Sequence, residues 1–205
     1  MAFIPACILG ALGACVGGLC HRAAKARGHR LSIPLAVLSG LALGFLEGLL
    51  YGFSRDAFVS LFLLFTLLLA SAQDREEHRM EDAYWIAVLA LGAGRMDAAG
   101  PSGFLLGSGL GLLVFLPALL TRHTSSSAGG ADVKLSASLG GLLGIWILPG
   151  LLLSMLLALT HRGIRKRKRP EPGPEPFALV PYLSLGCGTV FLISRALSAF
   201  AGFRL

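Results

Sequence analysis

The chain has 205 residues, of which 55% are hydrophobic and 14% charged, and its mean hydropathy is +0.74. That leaves too little polar surface to cover a water-soluble domain of this length, so a soluble globular fold is excluded. The expected class is an all-α, polytopic membrane bundle forming a single domain over 1–205, and the net charge of +7 is then a matter of topology.

In chain order, apolar runs bounded by charge fall near 3–20, 31–53, 57–73, 83–94, 103–121, 135–147, 148–160 and 177–199. They predict about eight transmembrane helices. Met1 to Pro5 carry no positive charge, so the first run reads as an uncleaved span rather than a removable signal. The runs at 83–94 and 135–147 fall short of the roughly 20 residues a crossing needs, and require tilt, extension into polar flanks or shielding by neighbours. Leu148-Pro149-Gly150 reads as a turn between two spans. The alternative, one kinked helix over 135–160, changes the parity of the bundle.

Charge arbitrates between the two. With the N-terminus outside, the inward segments 21–30, 74–82, 122–134 and 161–176 hold every Lys and Arg except Arg55, Arg95, Arg195 and Arg204. This is the positive-inside pattern, and it favours eight spans with both termini outside. The run Arg165-Lys166-Arg167-Lys168-Arg169 serves orientation and contact with anionic lipid. No aromatic residue is interleaved with it, which argues against nucleic acid. Pro170 to Pro176 form an extended linker before the last span. The 27 glycines suit a protein whose helices must approach closely.

Cys7, Cys15, Cys20 and Cys187 lie in or at the ends of apolar runs without a Cys-x-x-Cys pair, so no metal site or disulfide is expected. The histidines (21, 29, 78, 123 and 161) read as solvated loop residues, and no Gly-x-Ser-x-Gly elbow supports a serine nucleophile. The carboxylates remain. Asp74 ends the third apolar run and Asp132 precedes the sixth, on the same expected side of the bilayer. Carboxylates at a membrane boundary are costly, and two held close together share a proton, so that one activates water while the other polarises a carbonyl. Capping would account for Asp132 before a helix but not for Asp74 at a helix C-terminus, where the dipole disfavours an anion. Glu76, Glu77, Glu81 and Asp82 read as solvated loop acids, Asp82 also as a cap for the fourth span.

Asp74 is followed eight positions later by Asp82, and Gly129-Gly130-Ala131-Asp132-Val133-Lys134 brackets the second aspartate. In these features the chain resembles the type IV prepilin peptidases, membrane aspartic proteases of the Gly-x-Gly-Asp type. The family has Ile-Pro before its second acidic position, where this chain has Met80-Glu81, and Gly where this chain has Ala131. A methyl group at Ala131 is compatible with a backbone whose φ stays negative. The resemblance continues through Leu139-Gly140-Gly141-Leu142-Leu143-Gly144 with Leu148-Pro149, through Pro176 to Gly186, and through Gly10 to Arg22. The family's cytoplasmic loop with two Cys-x-x-Cys pairs is missing, since only Ala23 to Leu31 separate the first two spans.

The resemblance implies a multi-pass protein of the bacterial inner membrane that removes the leader of a prepilin or pseudopilin at the cytoplasmic face. Asp74 and Asp132 would be catalytic, with Gly129, Lys134 and Asp82 supporting the motifs. No cofactor is implied for the peptidase; S-adenosylmethionine would be needed only if methyl transfer is retained. The partners expected are the prepilin-like substrate and membrane lipid. Two other readings stay open: an inactive family member that scaffolds a pilus or secretion assembly, and a small proton-coupled carrier using Glu47 within the second span.

Overall fold

The computed structural model describes residues 3–28, 32–120, 130–168 and 178–201. Its regular structure is α1 (Phe3–Ala26), α2 (Ile33–Tyr51), α3 (Arg55–Glu77), α4 (Asp82–Ala93), α5 (Met96–Leu120), α6 (Gly130–Leu143), α7 (Ile147–Lys168) and α8 (Val180–Ala201), with a 3-10 turn at Gly144–Trp146. The all-helical expectation holds. Among the described residues, four helical stretches are long and apolar enough to cross a bilayer: Phe3–Ala26, Arg55–Glu77, Gly130–Arg165 and Val180–Ser198. Ala36–Tyr51, Asp82–Ala93 and Gly100–Phe115 are shorter apolar helices. Phe62, Leu105, Leu152 and Leu159 stand more than half exposed, which suits a surface solvated by lipid rather than water.

Two boundaries differ from the sequence reading. The interruption between the sixth and seventh runs lies at Gly144–Trp146, not at 148–150. Gly144 takes φ +59, a left-handed conformation that costs glycine nothing, and so breaks the helix. Pro149 falls in the first turn of α7, where an amide N–H would have no intrahelical partner and its loss is harmless. Second, α1 runs on through His21–Ala26 and α7 through His161–Lys168, segments marked as loops by their charge. Lys and Arg are good helix formers, and cations favour a helix C-terminus, so these basic ends extend the helices. The Pro-rich linker at 170–176 and most of the 122–134 segment lie outside the described residues.

The chain divides into two compact units, Met1–Glu76 and Glu77–Leu205. In the first, α1 and α2 pack antiparallel along small residues. A Cβ built on Gly13 would lie 2.0 Å from the Gly40 carbonyl oxygen, and one on Gly17 2.1 Å from that of Ala36. Gly44 and Gly48 continue the seam against Leu9 and Ala6. Helices in lipid gain no hydrophobic drive toward each other, so backbone contact over such a seam is what joins them. Leu9 and Cys20 of α1 form a core with Ala57, Leu61 and Phe65 of α3.

In the second unit the same device joins α5 to α6. Gly107 meets Gly140, Gly111 meets Ser136, and the Ser136 hydroxyl donates to the Gly111 carbonyl oxygen at 2.9 Å. The falling partner numbers make this pair antiparallel. Helices α7 and α8 close over Gly150 and Gly186, with Ser154 and Cys187 between them. His161, expected as a solvated loop histidine, lies on α7 and its Nδ1 is hydrogen bonded to the Tyr182 hydroxyl. Arg195 is buried on α8 and stacks its guanidinium over Phe191.

Candidate active site

Asp132 is the third residue of α6, inside its first turn rather than at a cap position before it. There the unpaired amides and the positive end of the helix dipole favour an anion. Its residue is only 6% exposed. Ala131 lies within the same helix and is not among the residues of positive φ. The substitution of Ala for the family's Gly therefore carries no backbone strain. Gly129 lies outside the described residues.

Lys134 points from the same turn toward α4. Its Nζ donates to Asp82 Oδ1 at 2.7 Å, with side chains 49% and 63% exposed respectively. The Trp85 Nε1–H donates to the same oxygen at 2.7 Å, and the Lys134 ammonium lies 5.4 Å from the centre of the Trp85 ring. Two donors on one oxygen favour the carboxylate form. The Lys134 hydrogen bond first, and that of Trp85 second, hold the Asp82 carboxyl below its ordinary 3.8.

Asp82 is therefore neither a free loop acid nor the cap of α4. Glu81 holds the cap position, without a side-chain capping bond. Trp85 was missed in the sequence; its signal was the Asp82-x-x-Trp85 spacing, which brings two side chains onto one helix face. Farther along, Gly92 of α4 packs against Gly141 and Leu142 of α6. Asp82 meets Lys134 and Gly92 meets Gly141, so α4 and α6 run parallel and start at the same end. Two membrane helices that enter from one side need this arrangement.

Asp74 belongs to the first unit. It lies in the last turn of α3, again only 6% exposed. Glu76, Glu77 and Glu81 are exposed, whereas Glu47 of α2 is 1% exposed. Glu47, Asp74 and Asp132 are thus the buried carboxylates among the described residues. Within the same residues no three His, Cys, Asp or Glu side chains converge as metal ligands.

Apolar helices of membrane length, with carboxylates buried inside two of the helical ends, define a multi-pass membrane protein with acidic groups withheld from solvent. The model of the type IV leader peptidase family matches residues 61–162, and over that segment the chain belongs to that family. The matched segment runs from α3 into α7 and contains Asp74, Asp82, Asp132 and Lys134. Comparison with curated proteins gives no match, and comparison with solved structures gives none either.

Proposed function

We propose that the chain is an aspartic endopeptidase that removes the leader peptide of a type IV prepilin or pseudopilin, with Asp74 and Asp132 as its two carboxylates. The observation that carries this reading is selective burial. The aspartates at the two motif positions are each 6% exposed, while Asp82, eight residues from Asp74, stays in water. Enclosure of a carboxyl is expensive unless its chemistry needs a site that excludes solvent.

In this mechanism the pair holds one proton between two carboxyl groups. The ionised member takes a proton from water as its oxygen attacks the scissile carbonyl carbon. The protonated member donates to the carbonyl oxygen. Collapse of the tetrahedral intermediate breaks the C–N bond, and the leaving amine takes up a proton from the dyad. Lys134 shapes the turn that presents Asp132, with Gly129 as the family motif's glycine before it, and Asp82 anchors Lys134.

The reading includes a single membrane domain of eight spans in the bacterial inner membrane, both termini outside and the site at the cytoplasmic face. The parallel course of α4 and α6 supports entry of both from one side. The peptidase needs no cofactor; S-adenosylmethionine enters only with methyl transfer. Co-expression with a prepilin whose leader ends in Gly before an apolar helix tests the proposal. Leader removal by the wild type, lost in Asp74→Asn and in Asp132→Asn, supports it, and retention in either variant removes the dyad.

A second reading, a proton-coupled carrier, is favoured by the burial of Glu47 within an apolar helix. It predicts that Glu47→Gln abolishes transport and leaves leader cleavage absent in every form of the protein. Absence of cleavage without transport would leave the inactive scaffold.

A further inference from the structure

Resting on the role given to Asp132, we propose that Trp85 is a positioning residue for the peptidase: with Asp82 it clasps Lys134 and thereby fixes the first turn of α6, which carries Asp132.

The opening amides of α6 lack partners from a preceding helical turn, so the start of this helix gains from a restraint outside it. Lys134 supplies it, two residues beyond Asp132, by reaching the first turn of α4.

An exposed ion pair alone would hold this geometry weakly, because water screens it and two long side chains lose freedom. Trp85 adds restraint in two directions. Its Nε1–H fixes the rotamer of Asp82 by donating to Oδ1, and its ring face attracts the ammonium of Lys134. Tyr84, the adjacent residue, is buried and holds the backbone of this turn against the bundle. The clasp thus ties the start of α6 to a packed turn of α4. Its effect on chemistry is indirect, since Lys134 is exposed and Trp85 half-buried beside it, while Asp132 is enclosed.

The test uses the full chain in detergent or lipid and two readouts. Hydrogen exchange of the amides at 130–136 is followed in wild type, Trp85→Leu, Trp85→Phe, Lys134→Gln and Lys134→Arg. Cleavage of a peptide with a basic leader and an apolar helix is measured in parallel. The clasp predicts exchange about tenfold faster in Trp85→Leu and Lys134→Gln. It also predicts kcat lower by about tenfold to a hundredfold at nearly unchanged KM, as expected for small displacements of a reacting group. Lys134→Arg keeps the charge and retains activity; Trp85→Phe keeps the ring face but not the donor and falls between, which also serves if Trp85→Leu fails to fold.

Unchanged exchange at 130–136 in Trp85→Leu and Lys134→Gln overturns the clasp. Faster exchange with unchanged kcat in a cleaving enzyme overturns its positioning role. Faster exchange in a protein whose wild type does not cleave supports the clasp as structure and sinks the peptidase reading instead.

Discussion

Gly107 of α5 and Gly140 of α6 face each other so closely that a Cβ built on either would lie 2.0 Å from the other's carbonyl oxygen. The obstacle is backbone, so no side-chain rotation can relieve it. The helix that carries Asp132 is therefore seated on its neighbour by main-chain contact, and its position depends on two hydrogen atoms where other residues have side chains.

Gly140→Ala should separate α5 from α6 and lower stability by about 1–3 kcal/mol, the range for overpacked sites. Gly109, on the same helix as Gly107, has nothing within 4 Å of a built Cβ. Gly109→Ala should leave stability unchanged or raise it by up to ~1 kcal/mol through helix propensity. Thermal unfolding in detergent checks both, and equal losses in the two variants would contradict the close seat.

The Asp82–Lys134 link should open in acid. The folded carboxyl titrates below its ordinary 3.8, so the link contributes fully above that value and is lost as pH falls through the lower folded value. Glu81 beside it, and Lys134 and Asp132 on α6, are the other titratable groups of the two helix starts. Single-tryptophan fluorescence of Trp85, in a Trp146→Phe background, should change below pH 3.8 and stay flat in Asp82→Asn. An identical acid transition in both would show that another group is responsible.

The proposed eight-span topology would put the basic end of α7 inside and the α4–α5 junction outside. In a background without the native cysteines, Arg167→Cys should react with a membrane-impermeant maleimide only after the cytoplasmic face is opened. Gly94→Cys, at an exposed position after α4, should react in intact cells. Labelling of both from one side would remove this parity.

How much of this was legible in the residues depended on the kind of signal. Apolar runs and their charged ends gave the helices, because the bilayer demands length and forbids charge. Asp74 and Asp132 could be singled out, since an acid at the edge of an apolar run has a cost that needs a reason. The break at Gly144 was misplaced by four residues in favour of Leu148-Pro149-Gly150. Proline at a helix start and proline at a turn look alike in sequence, and a left-handed glycine cannot be told from the packing glycines at 140 and 141. The partners of Asp82 were hidden for a different reason. Lys134 is 52 residues away, and only the parallel packing of α4 on α6 brings it there. Local pattern therefore suggested a free acid or a cap, and tertiary contact supplied a clasp.

The most direct test of the central claim is mass spectrometry of a prepilin-like substrate incubated with the purified chain reconstituted in lipid vesicles, beside Asp74→Asn and Asp132→Asn at matched folding. The account predicts one cut, at the junction between the basic leader and the apolar helix. It further predicts that each variant lowers the rate by at least about a thousandfold, as loss of one member of a catalytic unit does. Cleavage at that junction by either variant at close to the wild-type rate would contradict it.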